Sequence, residues 1–321
     1  MRFLITGANG FVGKRLCTEL LRQGQSVREA VRQSSQLRDD IEAVTVGNID
    51  GNTDWLNALR GVDVVIHLAA RVHVMKDAVA DPLAEFRKVN LHGTANLARQ
   101  AARAGVKRLV YVSSIKVNGE ATQADKKFTE ADVPAPQDPY GVSKWEAEQA
   151  LHRVADETGL QVVMVRPPLV YGPGVKGNFA QMLNIVAKRI PLPFSSIHNQ
   201  RDLVYVGNLV DALINCALHP AAAGQTYLVC DGEAVSTPNL LRQLAAGMGV
   251  SCHLFPCSPA LLQLAGKLAG KSQQLERLLG SLRVDGDKMR TDLNWTPPYP
   301  LRQGLQATAD WYRTHGRGES P

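Results

Sequence analysis

"TGANGFVG", Thr6–Gly13, is the stretch on which the fold of this chain turns. It follows a short apolar run, Phe3-Leu4-Ile5, and sets Gly7, Gly10 and Gly13 three apart. Glycine lets a backbone turn sharply and leaves no side chain between the chain and what it approaches. The stretch behind it, "FVGKRLCTELLRQG", carries apolar residues at Phe11, Val12, Leu16, Leu20 and Leu21, a helical stripe ending at Gly24. Strand, glycine turn and helix together make an anion site, because the first N–H groups of a helix have no intrahelical partners. The spacing is G-x-x-G-x-x-G, not the common G-x-G-x-x-G. A tight turn with glycines used only for packing is the competing reading.

The alternation continues downstream. Short runs rich in Val and Ile predict strands at Phe3–Thr6, Ser26–Val31, Ala43–Val46, Asp63–His67, Arg108–Val112, Gln161–Val165 and Thr226–Val229. Two long helices are predicted over Pro82–Ala104 and Tyr140–Thr158. Strands alternating with helices imply an α/β fold, a Rossmann-type doubly wound parallel sheet covered on both faces. After Arg166 the chain becomes rich in Pro and Gly, and from Ser236 it is mainly helical. The expected division is a dinucleotide-binding domain over 1–166, with 203–232 returning to it. Segments 167–202 and 233–321 form a smaller, mostly helical substrate domain. "RDLVYVGNLVDAL" and "TYLVC" both read as a return to the sheet. "PALLQLAGKLAG", residues 259–270, fits an ordinary core stripe, with an amphipathic membrane-surface helix as the alternative.

With 321 residues and 45% hydrophobic content, the chain can build a sizeable core. No apolar run reaches the ~18 residues that span a bilayer. The first strand starts at Arg2 or Phe3, so no signal peptide is expected. Five scattered cysteines without a C-x-x-C pair read as reduced thiols in a cytoplasmic protein with no metal site. The net charge of +6 lacks the Lys/Arg runs of a nucleic-acid arm.

Two further patterns carry chemistry. In "YGVSK", Tyr140 and Lys144 are four apart, so a helix puts them on one face. An unperturbed Tyr titrates near ~10, and a neighbouring ammonium is expected to lower that value. In "YVSSIKVNGE", Ser113 and Ser114 directly follow a predicted strand. Ligands of open α/β sheets sit beyond the carboxyl ends of strands, where a hydroxyl can hold a substrate oxygen.

Taken in order, "TGANGFVG", "DVVIHLAARV", "VNLHGTANLARQA", "YVSSIKVNG", "PYGVSK", "VRPPLVYGPG", "RDLVYVGNLVDA" and "LNWTP" resemble the extended short-chain dehydrogenase/reductase family. The likeness is to its nucleotide-sugar epimerase/dehydratase/reductase branch and covers nearly the whole chain. It implies Ser114, Tyr140 and Lys144 as the catalytic set. For the dinucleotide it implies Gly7, Asn9, Gly10, Phe11, Val12 and Gly13 at the pyrophosphate, and Asn48 and Ile49 near the adenine. Ala69, Ala70, Asn90, Ser113 and Pro167, with Tyr140 and Lys144, would face its other half. Arg71, Ser114, Lys116, Asn118, Asn178, Arg201 and Arg283 are implied as substrate contacts. Three positions depart from the family pattern: Asn118 in "VNG", Leu169 in "RPPLVYGP", and Gly207-Asn208 after Val206.

In dinucleotide folds an acid near the end of the second strand binds the ribose of NAD, and an arginine accommodates the extra phosphate of NADP. Here the position falls on Val31 and Arg32, with Ser34 and Ser35 beyond, and Glu29 two residues earlier. NADP(H) is therefore expected over NAD(H). The resemblance implies a 4-reductase of UDP-2-acetamido-2,6-dideoxy-4-keto-hexoses in surface polysaccharide (O-antigen) biosynthesis. The alternatives are a UDP-glucose or UDP-N-acetylglucosamine 4-epimerase and an NADPH-dependent reductase of a non-sugar carbonyl. A homodimer is expected through the two long helices, with Leu91, Ala95, Leu97, Trp145, Ala147 and Leu151 at the interface.

Overall fold

The computed structural model describes residues 1–33, 41–72, 81–123, 126–268 and 272–316. Seven parallel strands form one sheet: β1 (Arg2–Thr6), β2 (Ser26–Val31), β3 (Glu42–Thr45), β4 (Val64–His67), β5 (Arg108–Val112), β6 (Gln161–Arg166) and β9 (Thr226–Leu228), in the order 3-2-1-4-5-6-9. Most of these strands are buried along nearly their whole length, as a sheet covered on both faces requires. The order reverses between β1 and β4, which opens a crevice beyond their carboxyl ends.

The helices are α1 (Phe11–Arg22), α2 (Leu56–Leu59), α3 (Pro82–Phe86), α4 (Thr94–Arg103), α5 (Pro139–Thr158), α6 (Gly177–Ala187), α7 (Val206–Leu218), α8 (Thr237–Met248), α9 (Pro259–Leu268), α10 (Ser272–Leu279), α11 (Asp287–Leu293) and α12 (Leu301–His315). One core holds α1 and α7 against one sheet face and runs on into the C-terminal helices. A second core holds α4 and α5 against the other face.

Four expectations are corrected. The helix predicted over Pro82–Ala104 is interrupted by a π-helical segment, Arg87–Gly93. Its Gly93 lies so close to Ile49 that a Cβ there would fall 2.6 Å from the Ile49 side chain. "LVY" at Leu203–Tyr205 is a strand, β8, but it pairs with β7 (Leu169–Tyr171) in a separate two-stranded sheet. Leu97, Ala147 and Leu151 are fully buried against the chain's own sheet and Ala95 is also buried, leaving only Leu91 and Trp145 partly exposed on the proposed interface face. The leucines of α9 do not form a core stripe, since Leu261, Leu264 and Leu268 face outward. Among the described residues, no helix is long and apolar enough to cross a membrane.

Candidate active site

The glycine turn closes over the end of β4. Gly7 has φ +69°, a left-handed conformation that favours glycine, and a Cβ on it would lie 2.9 Å from the Ala69 backbone N. At Gly13 a Cβ would fall 2.2 Å from Gly7 O, so helix and turn touch with no space for a side chain. Gly10 donates its N–H to Gly7 O at 2.9 Å and caps α1 without any side-chain cap bond. The first N–H groups of α1 thus open beside bare backbone. Phe11 and Val12 are partly buried against the core, and Asn9 stands at the turn itself.

Below the turn lies a buried polar chain that sequence reasoning missed. Thr6 Oγ1 and His67 Nδ1 are 2.6 Å apart, and His67 Nε2 and Thr94 Oγ1 are 3.0 Å apart. The Ala69 N–H donates to Thr6 Oγ1 at 3.1 Å, fixing Ala69 and Ala70 at the crevice wall. Burial, reinforced by the nearby Lys144, pulls the His67 imidazole down to about 3. His67 is therefore a neutral structural bridge.

Ser114, Tyr140 and Lys144 meet at the end of β5. Ser114 lies two residues past the strand end and hydrogen-bonds the Tyr140 phenol. Asp138 caps α5 by accepting from the Gly141 N–H at 2.7 Å, and Pro139 follows at the first helical position. That cap sets the angle at which Tyr140 leaves the helix. Tyr140 is pushed up to about 12 by burial and by the Asp138 charge, with the Ser114 bond working the other way. The expected lowering by Lys144 is absent, because Lys144 points elsewhere. Its ammonium donates to Val112 O at 2.6 Å and lies 4.1 Å from the centre of the Tyr111 ring. Burial lowers the Lys144 amine to about 7, against a smaller opposing effect of Glu148.

Burying Lys144 has a measurable consequence. The folded chain holds this proton more weakly than the unfolded chain does, so the group destabilises the fold whenever it must be charged. Lys144→Met is expected to melt above the parent. The difference grows as pH falls from about 10 to about 7 and is constant below. Melting curves across that range test it, and a difference that does not vary with pH would contradict the assignment.

The remaining predicted residues divide. Lys116 pairs with Asp138 and, at 2.9 Å, with Glu120, while Arg277 of α10 reaches Glu120 at 3.2 Å and Asp138 at 3.9 Å. Burial works against the Asp138 charge, but Lys116, the Gly141 N–H and Arg277 outweigh it and hold the carboxyl below its usual range. Arg201 donates to Arg277 O at 2.7 Å and Gly280 O at 2.9 Å, and Arg283 pairs with Asp202 at 3.1 Å. Lys116, Arg201 and Arg283 therefore line a seam between the sheet end and the C-terminal segment. Ser113 is buried with an Oγ that has no hydrogen-bond partner, and Pro167 O accepts from the Ile115 N–H at 3.0 Å. Arg32 is exposed just past β2, Asn48 is exposed, Ile49 packs on Gly93, and Asn178 is exposed in the first turn of α6. Glu29 is buried within β2, opposite Ile5, and does not reach the strand end. Ser34 and Ser35 lie outside the described residues.

Two of the predicted contacts bracket loops within the chain. Asn90 is buried. It accepts from the Arg71 N–H at 2.9 Å and donates to Arg71 O at 3.0 Å and to Ser143 Oγ at 2.9 Å. It holds the loop that carries Arg71, whose guanidinium lies 5.7 Å from the Phe86 ring centre. Asn118 is buried too, donating to Thr129 O at 2.8 Å and accepting from Arg166 at 3.0 Å. Asp138 and Arg277 were missed. The Asp-Pro pair before "YGVSK" is a cap signal that marks the first, while nothing local marks the second.

The residues present fit a dinucleotide. The cradle at Gly7 and Gly13 excludes side chains, and the orphaned Ser113 hydroxyl lies next to Ser114. Among the described residues, no group of three His, Cys, Asp or Glu side chains could hold a metal ion.

Known proteins resemble this chain in sequence and fold. The chain is 46% identical to a UDP-glucose 4-epimerase of Vibrio cholerae, over 95% of this chain and 94% of that one. Its fold is similar to a UDP-glucuronic acid 4-epimerase from Bacillus cereus in complex with NAD (TM-score 0.78, 21% identity, 98% and 99% of the two chains). It is also similar to MoeE5 in complex with UDP-glucuronic acid and NAD (TM-score 0.78, 26% identity, 98% and 99%). A sequence profile matches residues 3–230, from β1 through β9 and so across every strand end that frames the crevice, and by it the chain belongs to the NAD dependent epimerase/dehydratase family.

Proposed function

We propose that this protein is a nucleotide-sugar 4-epimerase acting on a UDP-hexose with a tightly held nicotinamide dinucleotide. One observation carries the reading. The Ser114–Tyr140–Lys144 set lies at the crevice of a chain 46% identical, over 95% of its length, to a UDP-glucose 4-epimerase. This favours the epimerase over the 4-keto-sugar reductase expected from sequence.

The dinucleotide, when bound, supplies a reversible hydride acceptor. Gly7, Gly10 and Gly13 would hold its pyrophosphate, and Ala69, Ala70 and Ser113 would line its other half. Ser114 hydrogen-bonds the oxygen on sugar carbon 4. Tyr140, as its phenolate, takes the proton of that oxygen when the alcohol is oxidised, and the phenol so formed gives it back when the ketone is reduced. Lys144 holds a positive charge on the same helix face. Arg201 and Arg283, at the seam, would bind the sugar's diphosphate. A homodimer through α4 and α5 belongs to this reading.

The test is incubation with UDP-glucose or UDP-N-acetylglucosamine without added reduced cofactor. The carbon-4 epimer is expected, with no net change in nicotinamide absorbance. Absorbance loss matched to reduction of a UDP-4-keto sugar would instead establish the reductase.

The exposed Arg32 past β2 favours that second reading, because an arginine near the end of the second strand of a dinucleotide fold can accommodate an NADP phosphate. The redox-neutral cycle and the NAD held by MoeE5 favour NAD. Arg32→Ala decides what this residue does. If it binds the phosphate, the variant loses ~1.5–3 kcal/mol of NADPH affinity and little NADH affinity. Equal or no weakening in a titration of both would show a surface arginine.

A further inference from the structure

The charge of this chain is unevenly placed. Residues 167–200 and 234–275 contain Lys176, Lys188, Arg189, Arg242, Lys267 and Lys271 and no Asp or Glu. The chain has 36 Lys and Arg against 30 Asp and Glu. The rest of the chain is therefore balanced at 30 of each, and the whole excess of +6 lies in these two segments. The fold brings them together. The Leu192 N–H donates to His253 O at 2.9 Å, and the Phe255 N–H donates to Leu192 O at 3.0 Å. The second segment then runs into α9.

Helix α9 presents its apolar residues the wrong way for an ordinary surface helix. Leu262 and Gly266 face inward, Gly266 so closely that a Cβ would lie 2.8 Å from Leu275. Leu261, Leu264 and Leu268, at i, i+3 and i+7, share the opposite face and are 61%, 56% and 83% exposed. Lys267 is exposed beside them. Ile190 and Phe255, on the joined segments, are exposed as well. A single exposed leucine is ordinary, but a helical stripe of three with further apolar neighbours marks an interaction surface.

Charge selects the occupant. A second copy would press two acid-free, positive rims together, which like charge opposes. We infer that α9, with the Lys188–Ile190 and Phe255 segments, is a peripheral docking surface for an anionic lipid bilayer. Its leucines enter the acyl boundary while Lys188, Arg189 and Lys267 meet the headgroups. At ten residues, α9 lies on the bilayer and does not span it. It packs on α10, whose Arg277 reaches Glu120 and Asp138, so the surface and the candidate site share one lobe.

Vesicle flotation of the full chain tests this. The protein is expected to float with phosphatidylcholine vesicles containing about a third phosphatidylglycerol, not with pure phosphatidylcholine, and to be released by high salt. Leu261→Ser/Leu264→Ser/Leu268→Ser should lower binding about ten-fold or more. Lys267→Gln should lower it about five-fold. Both variants keep turnover of a soluble UDP-hexose, and circular dichroism checks their folding. If the triple variant unfolds, Leu264→Ser alone decides. Failure to float with anionic vesicles, or equal binding to neutral ones, would overturn the inference. So would self-association in light scattering that the leucine variants abolish, because that would make a second copy the occupant.

Discussion

Tyr140→Phe is expected to lower epimerase turnover by about 10²–10⁴-fold, the range of a lost general acid–base group. The ring keeps its edge contact with Phe86, whose centre is 6.0 Å away, so the packing that holds α3 against α5 survives. Only the hydroxyl and its bond to Ser114 are lost. Stability should therefore change by no more than ~1 kcal/mol, the net worth of one hydrogen bond. Affinity for the dinucleotide should hold. A tyrosine that served packing alone would behave the other way, with turnover near the parent value and the loss appearing in the melting temperature. Measuring both on one preparation separates the two cases. Near-parental turnover would remove Tyr140 from the chemistry.

The parts of this molecule that are legible in its sequence are those written locally. Strand positions follow from short β-branched runs between turn residues, and all seven predicted strands begin and end within one residue of the observed ones. Gly7, Gly10 and Gly13 could be read because their spacing encodes a turn and a close approach. Tyr140 and Lys144 could be read because four residues is one helical turn. What sequence could not deliver depends on distant partners. Arg277 lies 157 positions from Glu120, and no local pattern joins them. The loops that Asn90 and Asn118 bracket could not be read either, because a buried carboxamide that joins two loops has the same local signature as one that faces a ligand. The π segment at Arg87–Gly93 exists where Gly93 meets Ile49, a contact made across the fold. The orientation of Lys144 was missed for a related reason. Helical spacing gives the shared face, but Val112 O and the Tyr111 ring decide where the amine rests.

Removing Glu148 alone should be the most damaging structural change near the site. Glu148 and Arg166 are an almost wholly buried pair, joined by two hydrogen bonds of 2.9 and 2.5 Å. Glu148→Leu leaves the Arg166 guanidinium buried without its counter-charge, which costs about 3–5 kcal/mol. For a chain of this size that is a fall in melting temperature on the order of 10 °C. Glu148→Leu/Arg166→Met removes both charges and should recover most of the loss, because an apolar pair needs no compensation. Recovery stops about 1 kcal/mol short, since Asn118 loses the Arg166 bond it accepts. Activity should not recover in parallel. Tyr140, Lys144 and Glu148 follow one another at four-residue steps along α5, and the Glu148 charge supports the Lys144 ammonium. Without that charge the Lys144 amine titrates lower still. The double variant should therefore fold well yet show the Lys144 limb of its pH–rate profile displaced to lower pH. If the single variant melts like the parent, the pair does not hold the helix that carries Tyr140 and Lys144. If the double variant regains both stability and an unchanged pH profile, Glu148 acts on packing alone.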